Sequence, residues 1–125
     1  MTGIVYDSAA LIAAERDDRC LWLIHERALA RGVEPVVPTA VLAESARPGM
    51  RNLRRLLAGC EVEPLGAESA LVAGALRHAT PGGTVIDAIV VESAVRRQAA
   101  VLTADRGDIE ALAGTVKKPI AIIDI

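Results

Sequence analysis

The sequence predicts an α/β domain with a mainly parallel central sheet flanked by helices, and three observations carry that expectation. The strand candidates are short, β-branched and nearly continuous in apolar residues, as in strands covered on both faces. Patterns of helical period separate them, and such alternation is the mark of α/β folds with right-handed crossovers. With 52% hydrophobic residues in a chain of 125, there is enough apolar surface for a real core. One domain over residues 1–125 is expected.

The first strand is expected over Gly3 to Tyr6, where an apolar run stops abruptly at Asp7. Helical patterns follow over Ser8 to Glu15 and Arg19 to Ala30. A second strand, Pro35 to Val37, leads into a helix over Thr39 to Ser45. In "ARPGMRNLRRLLAG", Pro48 suits the first turn of a helix that runs to Leu57. Its period gathers Arg47, Arg51, Arg54 and Arg55 on one face, with Leu53, Leu56 and Leu57 opposite. A third strand, Cys60 to Pro64, is followed by a helix over Ala67 to His78. The Gly-rich loop "TPGGT" then opens a helix over Thr84 to Gln98. Its interior, including Val85, Ile86 and Ile89, is apolar almost all round, as in a deeply packed helix. The chain closes with a strand at Ala100 to Thr103, a helix at Asp108 to Ala113 and a strand at Pro119 to Asp124. No repeat or linker divides it.

Composition narrows the function classes. No apolar run approaches the roughly 20 residues that span a bilayer. The N-terminus lacks a basic segment before an apolar one, so a soluble cytoplasmic protein is expected. Cys20 and Cys60 make no zinc-ligand or CxxC spacing and read as small hydrophobes. A net charge of −2 argues against coating nucleic acid by bulk charge. Trp22 and Tyr6 are the only aromatics, which excludes a base-stacking platform for single strands.

The acids carry the most information. Asp7 reads simply as a helix N-cap, worth about 1 kcal/mol. Thr84-x-x-Asp87 fits a capping box, and Asp105 with Asp108 repeats the idea in "LTADRGDIEAL". As a set they are harder to dismiss. Asp7 and Asp105 each follow a strand directly, which places both at the carboxyl edge of one parallel sheet, where open α/β folds bind ligands. Glu44, in "PVVPTAVLAES", lies about one turn into a helix on the same edge, too far along to cap it. Asp87 begins the apolar helix, where an unpaired charge is costly. Carboxylates meeting there would raise one another's pKa values. A divalent cation is the natural way to keep them charged, and oxygen ligands favour Mg²⁺ or Mn²⁺ over zinc. Such a cation usually serves phosphate chemistry.

At this point the chain resembles the PIN-domain ribonucleases, in particular the VapC-type toxins of prokaryotic toxin–antitoxin pairs. The resemblance rests on "IVYDSAALIA", "VLAESAR", "VIDAIVVESA" and "LTADRGDIEAL", in that order and spacing across essentially the whole length. It implies that Asp7, Glu44, Asp87 and Asp105 form an acidic catalytic quartet, with Asp7, Asp87 and Asp105 as metal ligands. Asp108 takes an outer supporting role and is the alternative to Asp105 as fourth acid. Ser8 and Thr103 match small hydroxyl residues that support the carboxylates or a metal-bound water. The implied activity is Mg²⁺- or Mn²⁺-dependent hydrolysis of an RNA phosphodiester, leaving a 5′-phosphate and a 3′-hydroxyl.

The resemblance also implies a homodimer and a small cognate antitoxin, which often sends an arginine into the acidic pocket. The helices at Ser8 to Glu15 and Arg19 to Ala30 are candidates for a groove holding an antitoxin helix. The arginine stripe after Glu44 is a candidate for RNA phosphates, or simply a solvated face. Arg96 and Arg97 read as favourable charges at a helix C-terminus. His25 and His78 receive no catalytic role. Two other function classes compete with this one. A PIN-like binding module without catalysis would have little use for all four acids. A phosphoacceptor receiver domain would need an aspartate after the third strand, where "LGAESA" has none.

Overall fold

A computed structural model describes residues 3–125, so residues 1 and 2 of the expected domain lie outside it. Five parallel strands form one sheet in the order β3-β2-β1-β4-β5: β1 (Ile4–Tyr6), β2 (Val36–Pro38), β3 (Glu61–Glu63), β4 (Ala100–Thr103) and β5 (Ile122–Asp124). Seven helices flank it: α1 (Ser8–Glu15), α2 (Arg19–Ala30), α3 (Thr39–Ser45), α4 (Arg51–Leu57), α5 (Ala67–His78), α6 (Val85–Arg97) and α7 (Arg106–Ala113). The expected parallel α/β fold is therefore present. The chain lays β2 and β3 to one side of β1, then crosses to place β4 and β5 on the other. Sequence order thus reverses between β1 and β4, which opens a crevice at their carboxyl ends.

The core follows from burial. β1, β2 and β4 are buried along their whole length, and residues 88–94 of α6 are buried around its full circumference. Tyr6 is fully buried, and its hydroxyl lies 2.8 Å from His25 Nδ1. Burial lowers the His25 pKa, against a smaller upward pull from Glu26, so a neutral imidazole is suited to this contact.

Several boundaries move, each for a local reason. α4 begins at Arg51 rather than Pro48, because Pro48 and Gly49 form a turn with Gly49 at φ +85°. Its first N–H groups are satisfied from another helix: Glu15 Oε1 accepts from Asn52 N at 3.0 Å and Leu53 N at 3.3 Å. Arg47 therefore precedes the helix, and Arg55 lies 4.1 Å over the Trp22 ring and 3.5 Å from Asp17. The expected four-arginine stripe is not one continuous face. α6 is capped by Thr84 and Gln98 rather than including them, and Val85 is half exposed instead of deeply packed. α7 starts two residues earlier than expected, and β5 starts at Ile122 rather than Pro119.

β3 departs most from the expectation of strands covered on both faces. It is an edge strand with Glu61 and Val62 exposed and Glu63 half buried. Its acids bind α6 to the sheet. Glu63 accepts from Ser93 Oγ at 2.8 Å, Arg96 Nη2 at 2.7 Å and Arg97 Nε at 2.6 Å, while Arg97 also reaches Glu61. Arg96 pairs with buried Glu92 one turn back at 2.9 Å. Arg96 and Arg97 thus clamp an edge strand rather than only facing a helix dipole. Burial raises the Glu63 pKa, but the bonds from Arg96, Ser93 and Arg97 outweigh it and hold the carboxyl at about 2.

Glu63→Gln should lower stability by about 1–3 kcal/mol, since two arginines would lose their shared charged partner. A carboxyl with a depressed folded pKa stabilises fully above its ordinary 4.5, and this is lost as pH falls towards 2. Urea denaturation across pH should therefore show the largest deficit near neutrality and convergence with wild type in acid.

Candidate functional site at the carboxyl edge

β1 and β4 are adjacent and in register, Tyr6 against Leu102, so their next residues emerge side by side. Asp7 continues the ladder, its N–H donating to the Leu102 carbonyl at 3.1 Å. Only 4% of Asp7 is exposed. Its Oδ1 accepts from the Ser8 N–H at 2.7 Å, and its Oδ2 accepts from the Thr103 hydroxyl at 2.8 Å. The cap reading of Asp7 is thus partly right, since the residue does sit at the N-cap of α1. Yet its second oxygen is held by a different strand, which a cap does not require.

Thr103 is wholly buried and joins both strand ends. While donating to Asp7, its hydroxyl accepts from the Asp105 N–H at 3.0 Å. Asp105 occupies the N-cap position of α7, but its side chain makes no capping hydrogen bond. The carboxylate is exposed and free of the structural duty that the sequence suggested. Asp108 lies in the first turn of α7, also exposed.

Asp87 approaches from the first turn of α6. Its N–H donates to the Thr84 hydroxyl at 3.1 Å, which confirms the expected cap. Burial raises the Asp87 pKa most, followed by repulsion from Asp7; a bond with Thr84 opposes this, and Asp108 and Asp105 add smaller upward pushes. The structure thereby brings together Asp7, Asp87, Asp105 and Asp108. Glu44 is exposed on α3, a helix packed against α1 and α6, and is not among the carboxylates that raise Asp87.

Ser8 supports Asp7 through its backbone N–H rather than through the expected hydroxyl contact. Beyond capping α6, Thr84 also bonds the Asp87 carboxyl and pulls its pKa down, a second role for which the capping-box spacing is the only sequence signal. Arg106 falls within the last acidic block, but its guanidinium turns to Asp124, at 2.8 Å, and Glu110, at 3.2 Å. Among the described residues no ion pair neutralises the four aspartates. Their all-oxygen chemistry fits a hard cation. No three His, Cys, Asp or Glu side chains among the described residues close into a ready cage. Mg²⁺ does not need one, because it is commonly held by one or two carboxylates and its own waters.

His25 and His78 lie apart from this edge in role: His25 is buried against Tyr6, and His78 is exposed at the end of α5. A hollow of about 1000 Å³ lies elsewhere, between α2 and α4, and is lined by Trp22, Leu23, Leu29 and Arg55.

The PIN domain family model matches residues 4–114, so the chain belongs to the PIN domain family. No curated protein matches it. Among solved structures, VapBC2 from Rickettsia felis, bound to a DNA fragment from its promoter, is 14% identical with a TM-score of 0.74, covering 98% of each chain. FitAcB from Neisseria gonorrhoeae is 13% identical with a TM-score of 0.65, covering 97% of this chain and 96% of that one. PAE2754 from Pyrobaculum aerophilum is 18% identical with a TM-score of 0.57, covering 97% and 83%. At these identities the likeness is one of fold.

The electrostatics make a testable statement about the metal-free chain. A raised folded pKa means that the folded state keeps a proton the unfolded chain releases, so stability falls as pH rises through the carboxyl range. In EDTA, Asp87→Asn should raise Tm by a few degrees near neutral pH, as a change of about 1 kcal/mol does for a domain of this size. The gain should vanish below the ordinary value of 3.8, where both states are protonated. Thermal scans of the two proteins across pH measure it.

Proposed function

We propose that this PIN domain is a metal-dependent endoribonuclease of the VapC toxin type. The observation that carries the reading is the aspartate group at the β1/β4 crevice, where burial first and then Asp7, Asp108 and Asp105 push Asp87 up and no ion pair among the described residues offsets them. PIN domains are generally nucleases that use divalent ions, which supports it. A bound Mg²⁺ or Mn²⁺ supplies a more acidic water and offsets charge on a phosphoryl oxygen.

The chain's own residues then have separable duties. Asp7, Asp87 and Asp105 hold the cation. Thr103 fixes the second oxygen of Asp7 and so sets where that ligand points. The Ser8 N–H fixes the first. Asp108 supports from the outer side of α7. Glu44, exposed on α3, is the remaining acid of the catalytic set, with a role towards substrate or water rather than the cation. The substrate is an RNA phosphodiester, and the setting is cytoplasmic.

A cognate antitoxin partner is part of the same reading, supported by the fold likeness to chains from the VapBC2 and FitAcB structures. The α2 side of the molecule, with Leu23 and Leu29 each 42% exposed beside Trp22, suits an amphipathic helix. An arginine from such a partner could pair with the free carboxylates in place of the cation. A homodimer belongs to the reading as well. No helix among the described residues is long and apolar enough to cross a membrane.

The test is cleavage of total cellular RNA by purified protein with Mg²⁺, Mn²⁺ or EDTA, beside Asp7→Asn. Discrete fragments that need the metal are expected, with cleavage reduced at least about 100-fold in the variant, the scale of loss when a charge-stabilising group is removed. Fragments that persist undiminished in EDTA or in Asp7→Asn would refute the assignment. Metal-dependent RNA binding without cleavage would instead favour a binding module.

A further inference from the structure

Tyr6 is wholly buried, and its hydroxyl finds His25 Nδ1 at 2.8 Å as its one partner among the described residues. A buried hydroxyl that kept its proton unshared would leave a donor unmet, so Tyr6 donates and Nδ1 accepts. In the neutral ring, the form that burial favours, the imidazole proton then sits on Nε2. Nε2 is the His25 atom nearest Gly59, 3.1 Å from where a Cβ would stand, and both residues line the hollow between α2 and α4. No hydrogen bond among the described residues uses Nε2. Its N–H is therefore an unspent donor at the floor of the hollow, left uncovered because residue 59 has no side chain.

A second donor group stands on the wall. The Trp22 indole N–H donates to the Ala14 carbonyl at 3.2 Å, and its ring meets that of His25 edge-on, with centroids 5.6 Å apart. The Arg55 guanidinium lies over this fixed ring, 4.1 Å from its centroid. Its ion pair with exposed Asp17, at 3.5 Å, is too long for a good hydrogen bond. Arg55 is thus positioned by stacking while its N–H groups stay available.

We propose that the hollow between α2 and α4 is a binding site for a small organic monocarboxylate, its carboxylate bonded to His25 Nε2–H and Arg55 and its apolar body laid against Leu23 and Leu29. Two donor groups lining one hollow, neither spent on an acceptor of the chain, select an acceptor, and a guanidinium favours a carboxylate. The other charges lining the hollow are Arg19, Asp17 and Glu26, so its cations and acids balance. A single negative charge suits that balance, whereas the second charge of a phosphate dianion would be repelled by the two acids. The volume of about 1000 Å³ is ample for such a ligand. The site shares no residue with the acidic crevice and stands whether or not the chain cleaves RNA.

Trp22 is the only tryptophan of the chain, so its fluorescence reports on this hollow alone. Titration of the full chain with phenylacetate should give a saturable change with a Kd of roughly 1 mM or tighter, a modest affinity for a ligand of about ten heavy atoms. Phenylacetamide and inorganic phosphate should each bind at least about tenfold more weakly. Gly59→Ala, which sets a methyl against Nε2, and Arg55→Gln should each weaken phenylacetate by about tenfold or more, with circular dichroism showing the fold retained. Arg55→Gln should leave phenylacetamide unaffected, because that ligand brings no charge. Imidazole ¹⁵N spectra of wild type, which need no variant to fold, should show the proton on Nε2 and a shift of that nitrogen as phenylacetate is added. No saturable change, equal affinity for the amide or for phosphate, a neutral His25 ring protonated on Nδ1, or undiminished binding by both folded variants would each overturn the proposal.

Discussion

A single buried hydroxyl ties the two halves of this fold together. Thr103 Oγ1 donates to Asp7 at the end of β1 and accepts from the Asp105 N–H at the end of β4. These strands are neighbours in the sheet although Thr103 and Asp7 stand 96 positions apart in sequence. A group inside a protein must find its partners there or lose several kcal/mol, about 1–3 for an ordinary unsatisfied donor or acceptor. The hydroxyl therefore specifies the relation of the strand ends as well as stabilising it. Asp7 can be almost fully buried and still point one way, and α7 starts from a defined place.

The acids divide into two kinds with opposite consequences. Glu61, Glu63 and Glu92 are met by Arg96 and Arg97, which turns an exposed edge strand and a buried helix into one clamped unit. Asp7, Asp87, Asp105 and Asp108 have no such ion pairs among the described residues, and Asp87, itself part-buried, has a raised pKa. The structural acids are neutralised from within the chain; among the described residues the crevice acids are not. That contrast supports a cation, or an arginine from a partner, at the crevice.

Much of this was legible in the sequence because the signals were local. α1, α2, α3 and α5 have the expected bounds, and Asp18 shows why: it caps α2 by accepting from the Leu21 N–H three residues on. The capping box of Thr84 and Asp87 was equally readable. What failed depended on distant partners. α4 begins where Glu15, 37 residues away, satisfies its N-terminus, so Pro48 could not mark the start. Arg96 and Arg97 looked like dipole charges because Glu63, more than 30 residues earlier, gives no sign of contact in the sequence. The acidic edge was legible as a set of strand-end positions, but the grouping left Glu44 outside the carboxylates that press on Asp87. Glu44 stands next to the last residue of α3, away from the strand end where that helix begins.

The central claim is that the crevice aspartates form a cation site, and the most direct measurement is thermal unfolding with increasing Mn²⁺ or Mg²⁺, for wild type and Asp87→Asn. A ligand that binds only the folded state at 100 times its Kd stabilises by about 2.7 kcal/mol. Wild-type Tm should therefore climb with metal from its EDTA value, and Asp87→Asn, which has less repulsion to relieve and one ligand fewer, should climb markedly less. Equal Tm values for wild type with and without metal, or an undiminished rise in Asp87→Asn, would contradict the account.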